Sequence, residues 1–143
     1  MIQIRRHALV RQTPERMFDL VNDVEAYPTR FGWCSGATVL DRVGDDSLVA
    51  RLDLRFAGLT QSFTTRNTLE RPRRLHLQLV EGRLNALEGE WTFDPLGDNG
   101  CRIALALDFD YSGIGGTALR LGFQSLANRM VDDFCSAAGR ADG

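Results

Sequence analysis

The sequence predicts an α+β fold in which a seven-stranded antiparallel sheet packs around a long C-terminal helix. Two observations lead to this prediction. Between residues 33 and 112, apolar and polar side chains alternate with period two, and clusters of turn-forming residues recur at the spacing of an antiparallel meander. After residue 116, the apolar period changes to that of a helix. Because an apolar sheet face and an apolar helix face both need cover, we expect them to pack together.

A first strand followed by a broken helix is predicted at the N-terminal end. Residues 2–10 alternate, with the even-numbered apolar side chains on one face. Thr13 then suits the N-cap of a helix, and Pro14 suits its first position. The helix is expected to break near residues 22–23 and to resume only as far as Tyr27, because Pro28 disfavours helix at the residue before it.

Six further strands follow, each recognised by apolar residues of one parity. Turn residues separate them at 44–46, at Gly58, at 71–74, at Gly82 and at 95–100. The first three of these strands are expected at about 34–43, 48–56 and 60–69. The next two carry Leu75, Leu77 and Leu79, and then Leu87, Trp91 and Phe93; the last runs from Cys101 to Tyr111.

The final part of the chain predicts a long helix over about residues 117–138. Its apolar residues recur at steps of three and four and form one stripe, which needs a partner surface. The stripe consists of Leu119, Phe123, Leu126, Met130, Phe134 and Ala138. Gly115, Gly116 and Gly122 are expected to loosen the start of this helix and to permit an opening beside it.

The composition is that of an ordinary globular domain, which we place at residues 1–143. The 17 basic residues are all arginine and oppose 19 acidic residues, so the net charge is −2. The absence of lysine excludes a lysine Schiff base and a lysine-dependent phosphate loop. The slight acidity argues against a DNA-binding module, which usually carries a basic excess.

The cysteines predict neither a metal site nor a disulfide framework. Cys34, Cys101 and Cys135 are far apart and form no C-x-x-C pair, and His7 and His76 are the only histidines. Free thiols fit a reducing cytoplasm, which is therefore the expected location. No apolar stretch is long enough to cross a bilayer, so contact with a membrane, such as an inner membrane, is expected to be peripheral.

Three stretches and part of the terminal helix carry a pattern that is specific when taken together. They are VNDVEAYP at 21–28 with Trp33-Cys34; FAGL at 56–59 with FTTRN at 63–67; LEGEWTFDPL at 87–96 with 101–103 and 107–111; and FQSLANRMV at 123–131. On these residues the chain resembles, over essentially its whole length, the coenzyme-Q-binding START-like family. That family includes the bacterial RatA proteins and is often labelled polyketide cyclase/dehydrase. The pattern departs at residues 29–32, where relatives tend to have an aromatic residue and then Leu-Pro before Trp-Cys.

The resemblance implies a helix-grip fold of the START and Bet v 1 type, with two short helices between the first two strands and a hydrophobic cavity. It also implies non-enzymatic binding of a ubiquinone-like quinone or similar isoprenoid lipid, in support of respiratory electron transport, with no covalently bound cofactor. On this hypothesis, Tyr27, Phe31 and Trp33 form the mouth of the cavity. The sheet side is expected to consist of Leu54, Phe56, Phe63, Leu79, Trp91, Leu107 and Phe109, and the helix side of Phe123, Leu126 and Met130.

Polar side chains of inward parity are candidates for a hydrogen bond to a quinone carbonyl. Gln61, Thr65 and Asn67 share the parity of Phe63. Glu81 and Asn85 lie near the turn between the fifth and sixth strands.

Two alternative functions remain open. For the RatA branch, the resemblance implies a toxin that binds the large ribosomal subunit and blocks subunit association. Arginine suits bidentate phosphate contact, and the candidate contacts are Arg51, Arg55, Arg66, Arg71, Arg73 and Arg74. The second alternative is an aromatic polyketide cyclase or dehydratase, which needs an acid or base in the cavity. Glu81 is its candidate, because the parity of His7 and His76 places both outward.

Overall fold

The predicted elements are all present in the computed structural model, which describes residues 2–111 and 116–141. The strands are β1 (Ile2–Val10), β2 (Cys34–Val43), β3 (Ser47–Phe56), β4 (Leu59–Glu70), β5 (Arg74–Gly82), β6 (Ala86–Leu96) and β7 (Gly100–Asp110). The helices are α1 (Pro14–Asn22), a 3-10 turn (Val24–Ala26), α2 (Tyr27–Arg30) and α3 (Gly116–Ala141). The described strands form one antiparallel sheet in the order β1-β7-β6-β5-β4-β3-β2. The predicted fold class is therefore confirmed.

The sheet is a meander from β2 to β7, and β1 pairs with β7 at its far edge. Alternate residues of β7, from Cys101 to Phe109, are buried, because successive strand residues point to opposite faces. The β3–β4 connection is a two-residue turn in which Ala57 and Gly58 have φ of 54° and 73°. Positive φ at both positions matches the twist of paired strands, so the turn predicted at Gly58 is confirmed.

Helix α1 begins where the sequence predicts and is anchored to the sheet by an aromatic pair. Thr13 Oγ1 accepts a hydrogen bond of 3.2 Å from the backbone N–H of Arg16, which satisfies a donor of the first helical turn. Phe18 is fully buried and meets Phe93 of β6 edge to face, with ring centroids 5.5 Å apart. The Arg71 guanidinium lies 4.8 Å from the centroid of the Phe18 ring. Helix α1 therefore covers the inner face of β5, β6 and β7.

The segment after α1 differs from the prediction at its end. The helix breaks at Asp23 as expected, but α2 runs from Tyr27 to Arg30 and passes through Pro28, so the expected end at Tyr27 is wrong. Pro28 lies in the first turn, where its missing N–H would have had no helical partner. Tyr27 adopts helical angles despite preceding proline, and its buried hydroxyl donates a hydrogen bond to the carbonyl oxygen of Val21.

Helix α3 packs its apolar stripe against the inner face of the sheet, as predicted. Met130 is half-buried; the buried members of the stripe are Leu119, Phe123, Leu126, Phe134 and Ala138. Although α3 has 26 residues, neither it nor any other described helix is long and apolar enough to cross a membrane.

Glycine in α3 serves close packing. A Cβ atom at Gly122 would lie 3.0 Å from the Cβ of Ala57, so glycine lets the helix approach the β3–β4 turn. Gly122 therefore lies at a tight contact inside a continuous helix. The expectation that this glycine loosens the start of the helix is wrong. Gly116 begins the helix, and Gly115 lies outside the described residues.

Replacing Phe93 by alanine is expected to lower the free energy of unfolding by about 3–5 kcal/mol, because it leaves a cavity beside Phe18. Urea denaturation followed by circular dichroism measures this change. Leu9→Ala is the control, since Leu9 is 68% exposed on β1 and its truncation should change the same quantity by less than about 0.5 kcal/mol. Equal losses in the two variants would contradict the packing of α1 on β6.

Candidate functional site

Two aromatic clusters hold α3 against the sheet at two levels. The Phe123 cluster joins Phe123 to Phe56, Phe63 and Phe109, with ring centroids 4.6–5.7 Å apart. The Phe134 cluster joins Phe134 to Tyr27, Phe31, Trp33 and Trp91, at 4.8–6.5 Å. The two phenylalanines are about 16 Å apart along the helix axis. Because aromatic rings are large and rigid, the clusters set the distance between helix and sheet.

A cavity of about 90 Å3 lies between the sheet and α3, and it is lined by Phe63 and Phe123 of the first cluster and by Phe134 of the second. Its wall also includes residues of α1, of the 3-10 turn and of β3 to β7. Among the described residues, none that lines the cavity is charged. The predicted site residues found in the wall are Tyr27, Trp33, Leu54, Phe63, Trp91, Leu107, Phe123 and Met130.

The other five predicted ligand-binding residues surround the cavity without lining it. Phe56, Phe109 and Leu126 are buried in the packed core, and Leu79 is half-buried on β5. Phe31 stacks on the indole of Trp33, with ring centroids 4.7 Å apart. Strand parity could not distinguish these residues from those that line the cavity. Parity predicts on which face of the sheet a side chain lies, and it does not predict at which position along the strand the cavity lies.

Sequence reasoning missed further wall residues. They are Val21, Val24, Ala50, Leu52, Leu75, Leu77, Leu87, Leu105 and Phe134. Those on strands have the inward parity that the sequence already indicates, and the one on α3, Phe134, belongs to the apolar stripe. Val21 and Val24 come from α1 and the 3-10 turn, whose place over the sheet depends on tertiary contacts.

Thr65 and Asn67 are the polar candidates that reach the cavity. Both are buried, and Thr65 Oγ1 donates a hydrogen bond of 2.7 Å to Asn67 Oδ1. Gln61 shares their face of β4 and is also buried, but it does not line the cavity.

The inward placement expected for Glu81 is wrong. Thr65 pairs with Leu79 and Thr64 pairs with Glu81, so β5 carries one extra residue at this point. Such a bulge reverses the alternation of side chains. Glu81 is therefore exposed on the outer face, and Asn85 is exposed as well.

The two histidines face outward, as their parity predicts. His7 is exposed, and His76 Nε2 lies 2.9 Å from Oε1 of Glu88 at the surface. The described residues contain no group of three or more His, Cys, Asp or Glu side chains that could hold a metal ion.

Burial favours the protonated form of one tyrosine and three cysteines. It raises the pKa of Tyr27, whose hydroxyl is already bound to a backbone carbonyl. It also raises the pKa of the Cys34 and Cys135 thiols, and that of Cys101 to about 11. The thiolate is the nucleophilic form of cysteine, so these thiols are poor nucleophiles at neutral pH.

A polar pocket of about 200 Å3 lies next to Trp33, which therefore borders both this pocket and the cavity. Nε1 of Trp33 donates a hydrogen bond of 2.8 Å to Oδ2 of Asp133. The remaining residues of this outer pocket are Arg30, Phe31, Gly32, Ser136 and Arg140. The indole of Trp33 is thus a wall that the two spaces share.

The six arginines predicted to contact the ribosome are all exposed, but half of them are paired with carboxylates. Arg51 contacts Asp53 at 3.1 Å, Arg74 contacts Glu90 at 2.6 Å, and Arg71 forms an ion pair with Asp19. Within the described part of the chain, the other three make no ion pair. They are Arg55, Arg66 and Arg73.

The chain is similar in sequence to proteins of one family. The model of the family described as polyketide cyclase/dehydrase and lipid transport matches residues 10–135. The chain is 39% identical over 141 residues to the ribosome association toxin RatA of Pseudomonas aeruginosa, which covers 98% of this chain and 97% of that protein. It is 26% identical over 140 residues to the mitochondrial coenzyme Q-binding protein COQ10 of Drosophila melanogaster, covering 94% of this chain and 57% of that one.

Solved structures with the same fold include two that match nearly the whole chain. The Zhui aromatase/cyclase from Streptomyces sp. R1128 has a TM-score of 0.87 at 18% identity, over 99% of this chain and 96% of that one. A START superfamily protein from Mycobacterium smegmatis has a TM-score of 0.76 at 21% identity, over 98% of this chain and 97% of that one. At these identities the similarity establishes the fold, which is the predicted helix-grip fold.

Substituting leucine for Ala50 is expected to change the free energy of unfolding by less than about 1 kcal/mol, because the added carbons enter free space. Ala127→Leu is the matched control, since Ala127 is fully buried on α3 outside the cavity wall. Overpacking at that position should cost about 1–3 kcal/mol. Chemical denaturation measures both, and an equal cost at the two alanines would show that no void exists beside Ala50.

Proposed function

The chain belongs to the polyketide cyclase/dehydrase and lipid transport family, and on this basis we propose that it binds a hydrophobic small molecule between its sheet and α3. The observation that carries the proposal is the cavity of about 90 Å3, with its uncharged wall among the described residues. Apolar pockets with a few polar groups are the usual form of small-molecule sites. The proposed ligand is an isoprenoid quinone of the ubiquinone type, or a similar isoprenoid lipid.

The size of the cavity constrains how such a ligand is held. Its volume of about 90 Å3 is less than the roughly 300–1,000 Å3 of pockets for drug-sized ligands, so only a short chain segment fits in this conformation. Leu52, Leu77 and Met130 in the wall are only half-buried, and methionine adapts readily to new neighbours. A longer ligand would displace these side chains, or move Trp33 toward the outer pocket.

Apolar burial supplies the affinity in this proposal. Each Å2 of apolar surface removed from water contributes about 25 cal/mol, so the binding free energy grows with the length of chain that the cavity accepts. No charged anchor is required for such a ligand. This agrees with a wall in which the described residues are Val, Leu, Ala, Met and aromatic, apart from Thr65 and Asn67.

The proposed role is binding without chemistry on the ligand. Cyclisation or dehydration needs a positioned general acid or base. The described wall residues supply none, since the Tyr27 hydroxyl is committed to a backbone carbonyl and Glu81 is exposed. The relative named as a coenzyme Q-binding protein supports a quinone as the ligand. With that ligand, the protein would serve respiratory electron transport as a carrier.

Extraction of the protein purified from its native host, followed by mass spectrometry, tests the proposal. The wild-type protein is expected to release a quinone or isoprenoid lipid. Ala50→Leu should reduce the recovered ligand severalfold, because its side chain occupies part of the cavity, whereas Leu9→Ala on the exposed side of β1 should not. Repeated recovery of no lipid or quinone, together with no binding in a titration with ubiquinone, would overturn the proposal.

We propose association with the large ribosomal subunit as a second candidate function. The observation that favours it is the 39% identity, over 98% of this chain, to a protein named a ribosome association toxin. Arg55 and Arg66 extend from the outer face of β3 and β4 and, among the described residues, make no ion pair. Guanidinium groups in this state are well suited to phosphate oxygens.

Sucrose gradients after overexpression test the second candidate. The wild-type protein is expected to lower the fraction of assembled ribosomes. The double variant Arg55→Glu/Arg66→Glu should restore that fraction, because it replaces attraction to phosphate by repulsion. Arg11→Glu/Arg129→Glu changes the net charge equally at two exposed arginines elsewhere, and it should behave as the wild type. An unchanged fraction of assembled ribosomes with the wild-type protein would reject this candidate.

A further inference from the structure

Four polar side chains line the cavity, and three of them have their donors committed within the protein. The hydroxyl of Tyr27 donates to a backbone carbonyl, and Nε1 of Trp33 donates to Asp133 at 2.8 Å. The hydroxyl of Thr65 donates to Oδ1 of Asn67 at 2.7 Å.

The amide nitrogen of Asn67 is the donor that remains. Among the described residues Nδ2 of Asn67 makes no hydrogen bond, although the residue is only 3% exposed. Because Thr65 holds Oδ1, Nδ2 on the other arm of the planar amide points away from Thr65. Nearly every buried donor in a folded protein has a partner. A donor without one at a cavity wall can therefore take its acceptor from a molecule in the cavity.

We infer that Asn67, oriented by Thr65, donates a hydrogen bond to an uncharged acceptor oxygen of the ligand. The cavity then selects isoprenoid ketones and quinones over hydrocarbons of the same shape and over carboxylates. This inference rests on the proposed function, since it presupposes a ligand in the cavity. It goes further by naming the group that recognises the ligand and the chemistry that the ligand must present.

The wall disfavours the two other kinds of ligand for different reasons. A hydrocarbon leaves Nδ2 of Asn67 buried without a partner, which costs the desolvation of that group. A carboxylate brings a charge into a wall where the described residues offer no cation, and one amide donor does not compensate for that burial. A carbonyl oxygen accepts the hydrogen bond and carries no charge.

Asn67 is held on a rigid part of the fold. It lies within β4, opposite Leu48 of β3 and opposite Leu77 of β5, so its backbone is paired on both sides. Groups placed on paired strands are positioned more precisely than groups on loops. Gln61 provides a matched control, because it carries an amide on the same face of β4, is 9% exposed, and does not line the cavity.

Three small probes with eight carbons test the inference by nuclear magnetic resonance titration of the 15N-labelled protein. They are methylheptenone, which joins one isoprene unit to a methyl ketone; methylheptene, the hydrocarbon with the same skeleton; and octanoate. In the wild-type protein, methylheptenone is expected to shift the side-chain amide resonances of Asn67, and methylheptene is expected to bind without that shift. Octanoate should not bind at neutral pH.

Variants then separate the hydrogen bond from general packing. Asn67→Leu should lower the affinity for methylheptenone by about 3- to 10-fold, the range for one hydrogen bond, and should not lower that for methylheptene. Thr65→Val keeps the amide of Asn67 but removes the hydrogen bond that orients it. This variant should therefore reduce the preference for methylheptenone over methylheptene by a smaller factor than Asn67→Leu does. Gln61→Leu should leave both affinities unchanged.

The outcomes distinguish this inference from the proposed function on which it rests. The inference would be overturned if Asn67→Leu lowered the affinities for both neutral probes equally, or if methylheptenone bound the wild-type protein with no shift of the Asn67 amide resonances. Either result would leave the cavity as a binding site. The amide shift is read in the wild-type protein, so it decides the matter even if Asn67→Leu does not fold. Failure of every probe to bind the wild-type protein would overturn both.

Discussion

The packing of α3 on the inner face of the sheet is the constraint on which the rest of the structure depends. Aromatic rings make this contact at two levels of the helix, around Phe123 and around Phe134. Between these levels the wall consists mainly of aliphatic side chains, and one of them is as small as Ala50. Rings that set a wide separation and side chains too small to fill it leave a void. The cavity is therefore a consequence of how the helix is supported.

The chemistry of the cavity wall limits which functions the cavity can perform. Among the described residues of the wall, Tyr27 is the one titratable side chain, and its buried hydroxyl is bound to a backbone carbonyl. The carboxylate of Asp133, outside the wall, accepts the indole hydrogen bond of Trp33. Such a wall can hold an apolar molecule and can orient one neutral acceptor, but among the described residues it offers no proton-transfer group. Trp33 is the residue through which this interior meets the polar outer pocket, since it borders both.

The two candidate functions use opposite faces of the same strands. On β4, Asn67 lies on the inner face and lines the cavity, while its neighbour Arg66 is exposed on the outer face. Because successive residues of a strand point to opposite faces, one segment can serve a ligand inside and a macromolecule outside. Relatives named for coenzyme Q binding and for ribosome association can therefore share this fold, and neither candidate function excludes the other.

The order of the elements and the face of most strand and helix residues were determined by the sequence alone, because both follow from local periodicity. The Thr13 cap, the Gly58 turn, the inward residues of β7 and the stripe of α3 all follow from spacing within a few residues. Three features were decided only by the tertiary structure. The first is the position of the cavity along the sheet, which leaves Phe109 in the packed core and places Val21 in the cavity wall. The second is the bulge in β5 that turns Glu81 outward. The third is the passage of α2 through Pro28. The first two depend on contacts between segments distant in the chain, and a periodic pattern does not record how deeply two such surfaces approach.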